Sequence, residues 1–176
     1  TTRGGLRGEA VVQRAAYIGA GLLIGLVQIT LRGLGGEVVI PNLALVLIVY
    51  LSSRLDLPSL GAVAIACGVV LELASASSAG MHILGLVLLV LVAKLLLRSA
   101  EEESQPWFLL VLMLTGTVAY SLALIFSLSF SQVQSHWGVI VSQVLIECLY
   151  NSILFGFCMA IGARRAQGQK KYRLPT

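Results

Sequence analysis

Charged side chains are scarce in this 176-residue chain: Asp, Glu, Lys and Arg make up 11% of it, against roughly 25% in a soluble domain. Between Leu57 and Ala93 the only acid is Glu72, and there is no Lys or Arg. No solvated surface can be built from such a stretch. Cysteine is almost missing too. Cys67, Cys148 and Cys158 are odd in number and sit inside apolar runs, which reads as buried thiols rather than a disulfide framework or a metal set. The catalytic signatures are absent: there is no Gly-x-Ser-x-Gly elbow, no His-Glu-x-x-His helix, no Walker loop and no cluster of paired aspartates to hold a divalent ion. These gaps argue against an enzyme, and no metal or cofactor is expected.

What the chain does have is apolar length. Hydrophobic residues account for 57% and mean hydropathy is +0.93, the composition of an all-α integral membrane protein folded as one membrane domain, residues 1–176. Six spans are expected, over about 15–31, 38–52, 59–74, 81–97, 107–130 and 137–161. Arg14 and Arg32 bracket the first, Pro41 falls in the first turn of the second, and Trp107 and Trp137 open the last two as interfacial anchors do. The start is read as a retained first helix, because Gln28 and Arg32 leave no clean small-residue cleavage site.

The net charge of +4 does not point to nucleic acid, because the basic residues stand at the membrane flanks, where they orient the chain and touch anionic lipid. Placing both termini in the cytoplasm puts Arg3, Arg7, Arg14, Arg54, Lys94, Arg98, Arg164, Arg165, Lys170, Lys171 and Arg173 inside, leaving Arg32 alone outside. The loops 32–37, 74–80 and 131–136 then face out.

Polar residues within the spans gather toward the outer half. Gln28, Asn42 and Glu72 lie near the outer ends of the first three spans, and His82 opens the fourth. In the sixth, Gln143, Glu147 and Asn151 recur at four-residue intervals and form one polar stripe, which should face protein. A carboxylate at mid-bilayer costs at least ~2.5 kcal/mol, so Glu147 needs a partner, a proton or water. The stripe reads as an interhelical hydrogen-bonded lock or as a ligand or partner site. His82 and His136 read as interfacial residues, and Lys94 as snorkelling to the inner surface. Small residues of the first span, Ala16, Ala20, Gly21 and Gly25 among them, form overlapping small-xxx-small pairs suited to close helix packing.

Two segments, PNLALVLIVYLSSR and LGAVAIACGVVLELASASSAGMHILGLVLLVLVAKLLLR, resemble MreD, the rod-shape-determining membrane protein family of bacteria. That family opens its second helix with proline followed by Asp or Asn, and ends the third with an acid. A glycine follows eight residues later and a histidine ten. Pro41, Asn42, Glu72, Gly80 and His82 reproduce the spacing. Glu72 stands where Asp is usual, and Ala76 and Ser78 stand where Gly and Pro often fall. The likeness covers about a third of the chain. It implies a non-enzymatic scaffold of the cell-elongation (peptidoglycan synthesis) complex, binding MreC beside MreB, RodA and a penicillin-binding transpeptidase. Asn42, Glu72, Gly80, His82, Gln143, Glu147 and Asn151 are then candidate partner or pocket residues. MreD is also similar in fold to the substrate-binding subunits of energy-coupling-factor vitamin transporters. The alternative is therefore such a subunit, docking its transport module through Ala16 and Ala20.

Overall fold

Lipid offers backbone amides no partner, so apolar runs of this kind fold as helices that bond their own. The computed structural model describes residues 3–35, 39–75, 80–99, 105–127 and 137–171, with side chains for 12–34, 39–75, 80–99, 106–125 and 137–162. They form α1 (Arg3–Gly35), α2 (Leu43–Ser52), α3 (Leu57–Leu73), α4 (Met81–Ser99), α5 (Gln105–Ser127) and α6 (Trp137–Lys171). Among the described residues four segments are long and apolar enough to cross a membrane: Val12–Leu34, Met81–Ser99, Pro106–Ile125 and Trp137–Gly162. The protein is an α-helical, multi-pass membrane protein. The loop 131–136 with His136, the acids Glu101 to Glu103, and residues 36–38 and 76–79 lie outside the described residues.

Two of the six expected spans are helices shorter than the ~30 Å apolar core. The third has 17 residues, about 26 Å of helix. The second, expected over 38–52, is a helix of only 10 residues, about 15 Å against a core of ~30 Å. Pro41 is the physical reason: its ring disfavours helical backbone at Ile40, so residues 39–42 stay non-helical and Asn42 (φ −80°, ψ 87°) becomes the N-cap.

Every face of α2 is apolar, and a helix of that kind is stable only when surrounded. It touches all five other helices, and Ala44, Leu45, Ile48 and Val49 have no exposed surface. The core is therefore built around α2, with Leu60, Val63 and Cys67 of α3, Leu86 and Val90 of α4 and Leu109 and Met113 of α5 closing on it.

Around this pillar α1 lies along α3. A Cβ on Gly25 would come within 2.9 Å of Val70 Cβ, and one on Gly21 within 3.2 Å of Val63, so these two glycines set the approach. The other half of the small-residue stripe is not used this way. Ala16 and Ala20 are exposed, because the α3-facing side of α1 is the Gly21–Gly25 side.

Arg14 pairs with Asp56 at 3.7 Å, the Lys94 ammonium donates to Ser52 O at 2.6 Å, and Arg54 packs beside Gly162. One end of the bundle thus gathers the first turns of the α1 span, the α2–α3 turn and the far ends of α4 and of the α6 span. Gln28, Asn42, Glu72, His82 and Glu147 collect toward the opposite end.

Candidate functional site

Breaking α2 at Asn42 leaves backbone N–H groups inside the bundle without helical acceptors, away from bulk solvent. Side chains from three elements supply the acceptors. Asn42 N–H donates to Asn151 Oδ1 of α6 at 2.7 Å, Ala44 N–H to Gln28 Oε1 of α1 at 3.0 Å, and Leu45 N–H to Asn42 Oδ1 at 3.1 Å. Gln28 Nε2 then donates to Asn42 Oδ1 at 3.3 Å, and Asn151 Nδ2 to Thr117 Oγ1 of α5 at 3.1 Å. Gln28, Asn42, Thr117 and Asn151 are each 0% exposed. Three amides and a hydroxyl thereby tie α1, α2, α5 and α6 together at one point.

One donor is left over. Among the described residues Asn42 Nδ2 is buried with no hydrogen-bond partner, and its amide lies near the Tyr120 hydroxyl and the Glu147 carboxyl. Ser121 Oγ donates to Glu147 Oε2 at 3.1 Å. Glu147 thus has the partner a carboxyl in the membrane requires. Gln143 does not share this setting and is exposed. The stripe therefore faces protein only over its Glu147–Asn151 half. Thr117 meets Asn151 and Ser121 meets Glu147.

The opposite end of α2 is closed as deliberately. Lys94 Nζ donates to the carbonyls of Ser52 and Leu55, placing a cation on the last carbonyl of α2, where the dipole favours it, and on one in the turn that follows. Lys94 is therefore more than a snorkelling flank residue: its ammonium ends on protein.

The spacing of Glu72, Gly80 and His82 acquires a physical meaning at the elbow. Glu72 Oε1 accepts from Gly80 N–H at 2.7 Å and Oε2 from His82 N–H at 2.9 Å, so one carboxylate at the end of α3 caps the first turn of α4. Gly80 has φ +92°, a left-handed backbone that glycine adopts without steric cost. His82 is 2% exposed, not interfacial, and its Nδ1 shares a hydrogen bond with the Tyr120 hydroxyl. Asn42 and His82 are thus interior residues rather than the lining of an open surface, and Glu72 is half-buried. Glu72 and Glu147 both lie within electrostatic reach of Tyr120, and Arg32 within reach of Glu147, His82 and Tyr120.

Among the described residues no three His, Cys, Asp or Glu side chains are grouped to hold a metal ion. Cys67 is buried, Cys148 and Cys158 half-buried, and all three are free thiols. Cys67 Sγ donates to Gly21 O at 3.2 Å.

Replacing Glu72 with Gln keeps the shape of the cap but turns an amide NH₂ toward one of the two N–H donors. Unfolding free energy in detergent is expected to fall by about 1.5–3 kcal/mol, the worth of a hydrogen bond to a charged group. Stability equal to the parent's would mean the elbow does not depend on the carboxylate. Comparison with models of known families, with curated proteins and with solved structures finds no match to this chain.

Proposed function

We propose that this chain is a non-enzymatic adaptor of the MreD type in the bacterial cell-elongation machinery. It binds an MreC-like single-pass protein in the inner membrane, beside MreB, RodA and a penicillin-binding transpeptidase. The observation that supports this reading is how the interior polar groups are used. Gln28, Asn42, Thr117 and Asn151 bond to one another or to the start of α2, and Glu72 bonds to the start of α4. A small-molecule subunit needs several convergent polar groups free to meet its ligand, whereas Asn42 Nδ2 is the single buried side-chain donor left over among the described residues. Large apolar side chains stand exposed instead along α1 and α6, among them Leu23, Leu26, Leu145, Leu149 and Ile153, a surface suited to lipid or to another helix.

The same reading takes the bundle as six crossings with both termini cytoplasmic. Residues 39–42, non-helical and reaching at most about 3.3 Å each, add up to roughly 13 Å to the ~15 Å of α2, about the length a second crossing needs. Arg14, Arg54 and Lys94 share one end, as a cytoplasmic face requires.

Gentle purification from the native membrane is expected to bring down an MreC-like protein with one membrane span. A co-purified vitamin, or an ATPase transport module, would refute the adaptor. For topology, reporters fused after Asp56 and Lys171 should read internal and one after Gly35 external. An external reporter at Lys171 would overturn the six-crossing arrangement.

A further inference from the structure

At the basic end of the bundle, between the first turns of the α1 span and the α2–α3 turn, lies a polar cavity of about 240 Å³ lined by Gln13, Arg14, Tyr17, Arg54, Asp56 and Ser59. Its position is set by the membrane. The apolar stretch of α1 begins at Val12, so Gln13, Arg14 and Tyr17 lie where phospholipid headgroups meet the hydrocarbon. We propose that this cavity binds the phosphodiester headgroup of an anionic phospholipid, with the Arg54 and Arg14 guanidinium groups on the phosphate.

The state of each side chain supports it. Arg54 is exposed, and among the described residues no carboxylate pairs with it. Its guanidinium is held over the Tyr50 ring at 4.4 Å, which fixes the plane of the fork that meets phosphate bidentately. Arg14 is bound only loosely: its partner Asp56 is 3.7 Å away, and their side chains are 59% and 55% exposed. The Tyr17 hydroxyl accepts from Gln13 Nε2 at 3.2 Å, leaving its own proton to donate. Asp56 opposes an anion and has to be counted. Hydrogen bonding from Ser59, and to a smaller degree the Arg14 charge, holds its carboxyl below the usual carboxylate range, so it is ionised at neutral pH. Two guanidinium groups against one carboxylate leave the lining net positive, and the Lys94 ammonium adds charge behind it on the carbonyl of Leu55. Basic pockets between membrane helices hold anionic headgroups by these means, and the aliphatic tails would lie along the exposed apolar face of α1.

Delipidated protein in a neutral detergent, titrated with phosphatidylglycerol and read by native mass spectrometry, tests this. Phosphatidylglycerol is expected to bind, and Arg54→Gln to weaken it about fivefold. Arg98→Gln, which removes one charge from the same end but not from the cavity, should leave binding unchanged. Arg54→Lys should recover only part, since it restores charge without the fork. If Arg54→Gln does not fold, Arg14→Gln reads the same cavity. The proposal is overturned if phosphatidylcholine binds as tightly as phosphatidylglycerol. It is overturned equally if Arg98→Gln weakens binding as much as Arg54→Gln, the mark of a diffuse charge effect, or if inorganic phosphate competes at equal concentration, the mark of a free-anion site.

Discussion

Replacing Asn42 with leucine is expected to lower the unfolding free energy by about 3 kcal/mol. Asn42 Oδ1 accepts from both Gln28 Nε2 and Leu45 N–H, so its loss strands two buried donors at about 1–3 kcal/mol each. Part of that is returned, because the unpartnered Nδ2 disappears with it. Measured interhelical hydrogen bonds in membranes average only ~0.6 kcal/mol, because an unfolded helix in lipid also finds partners. That discount does not apply to Leu45 N–H, which has no helical acceptor in any state where α2 begins at Leu43. Asn42→Asp is the informative contrast. It keeps the acceptor for Leu45 N–H and removes the stranded Nδ2, so it should cost less than Asn42→Leu. A carboxylate there also adds a second acid within reach of Glu147. The Asn42→Asp variant should therefore lose stability as pH rises and the new carboxyl ionises, while Asn42→Leu should not. Denaturation of both variants in detergent across pH checks the order, and an Asn42→Leu protein as stable as the parent would dismiss the capping network as incidental.

The four long helices could be read from the sequence because each is decided locally, by length and hydropathy. The break before α2 was also written there. Asn42 precedes an unbroken apolar run and follows a proline, the pattern of an N-cap, yet the apolar residues ahead of it drew the expected span back to 38. The spacing of Glu72, Gly80 and His82 was legible as a motif. Its chemistry was not, since two backbone N–H groups across an elbow leave no trace in side-chain identity. What sequence could not reveal was which polar residues end up inside. Asn151 and Gln143 sit on one helical face, and only the register against Thr117 and Ser121 separates the buried one from the exposed one. Ala20 and Gly21 are adjacent and similarly small, and the approach of Val63 decides between them. Lys94 looked like a flank residue because the carbonyls it binds belong to another helix.

Gly68→Leu is expected to be the most damaging substitution of an apolar position, abolishing accumulation of folded protein, and Gly68→Ala to cost about 1–3 kcal/mol. A Cβ on Gly68 would stand 2.7 Å from Ile83 Cα and 3.1 Å from Ile83 N. These are backbone atoms of α4, so relief comes only from moving a helix rather than turning a side chain. The same helix holds its own control. A Cβ on Gly61 meets nothing within 4 Å, so Gly61→Ala should stabilise by up to about 1 kcal/mol through helix propensity alone. Opposite signs for one substitution seven residues apart would place the constraint in the α3–α4 contact, not in glycine's effect on the helix. The contact also has a reach beyond packing. Gly68 lies one turn before Glu72, whose carboxylate must span to Gly80 and His82 on the far side of the elbow. Pushing α4 away should lengthen both bonds, so the Gly68→Ala/Glu72→Gln double variant is expected to lose less stability than its two single changes combined. Strict additivity, measured by unfolding of the four proteins in the same detergent, would separate the helix crossing from the cap and show that the elbow is fixed by Glu72 alone.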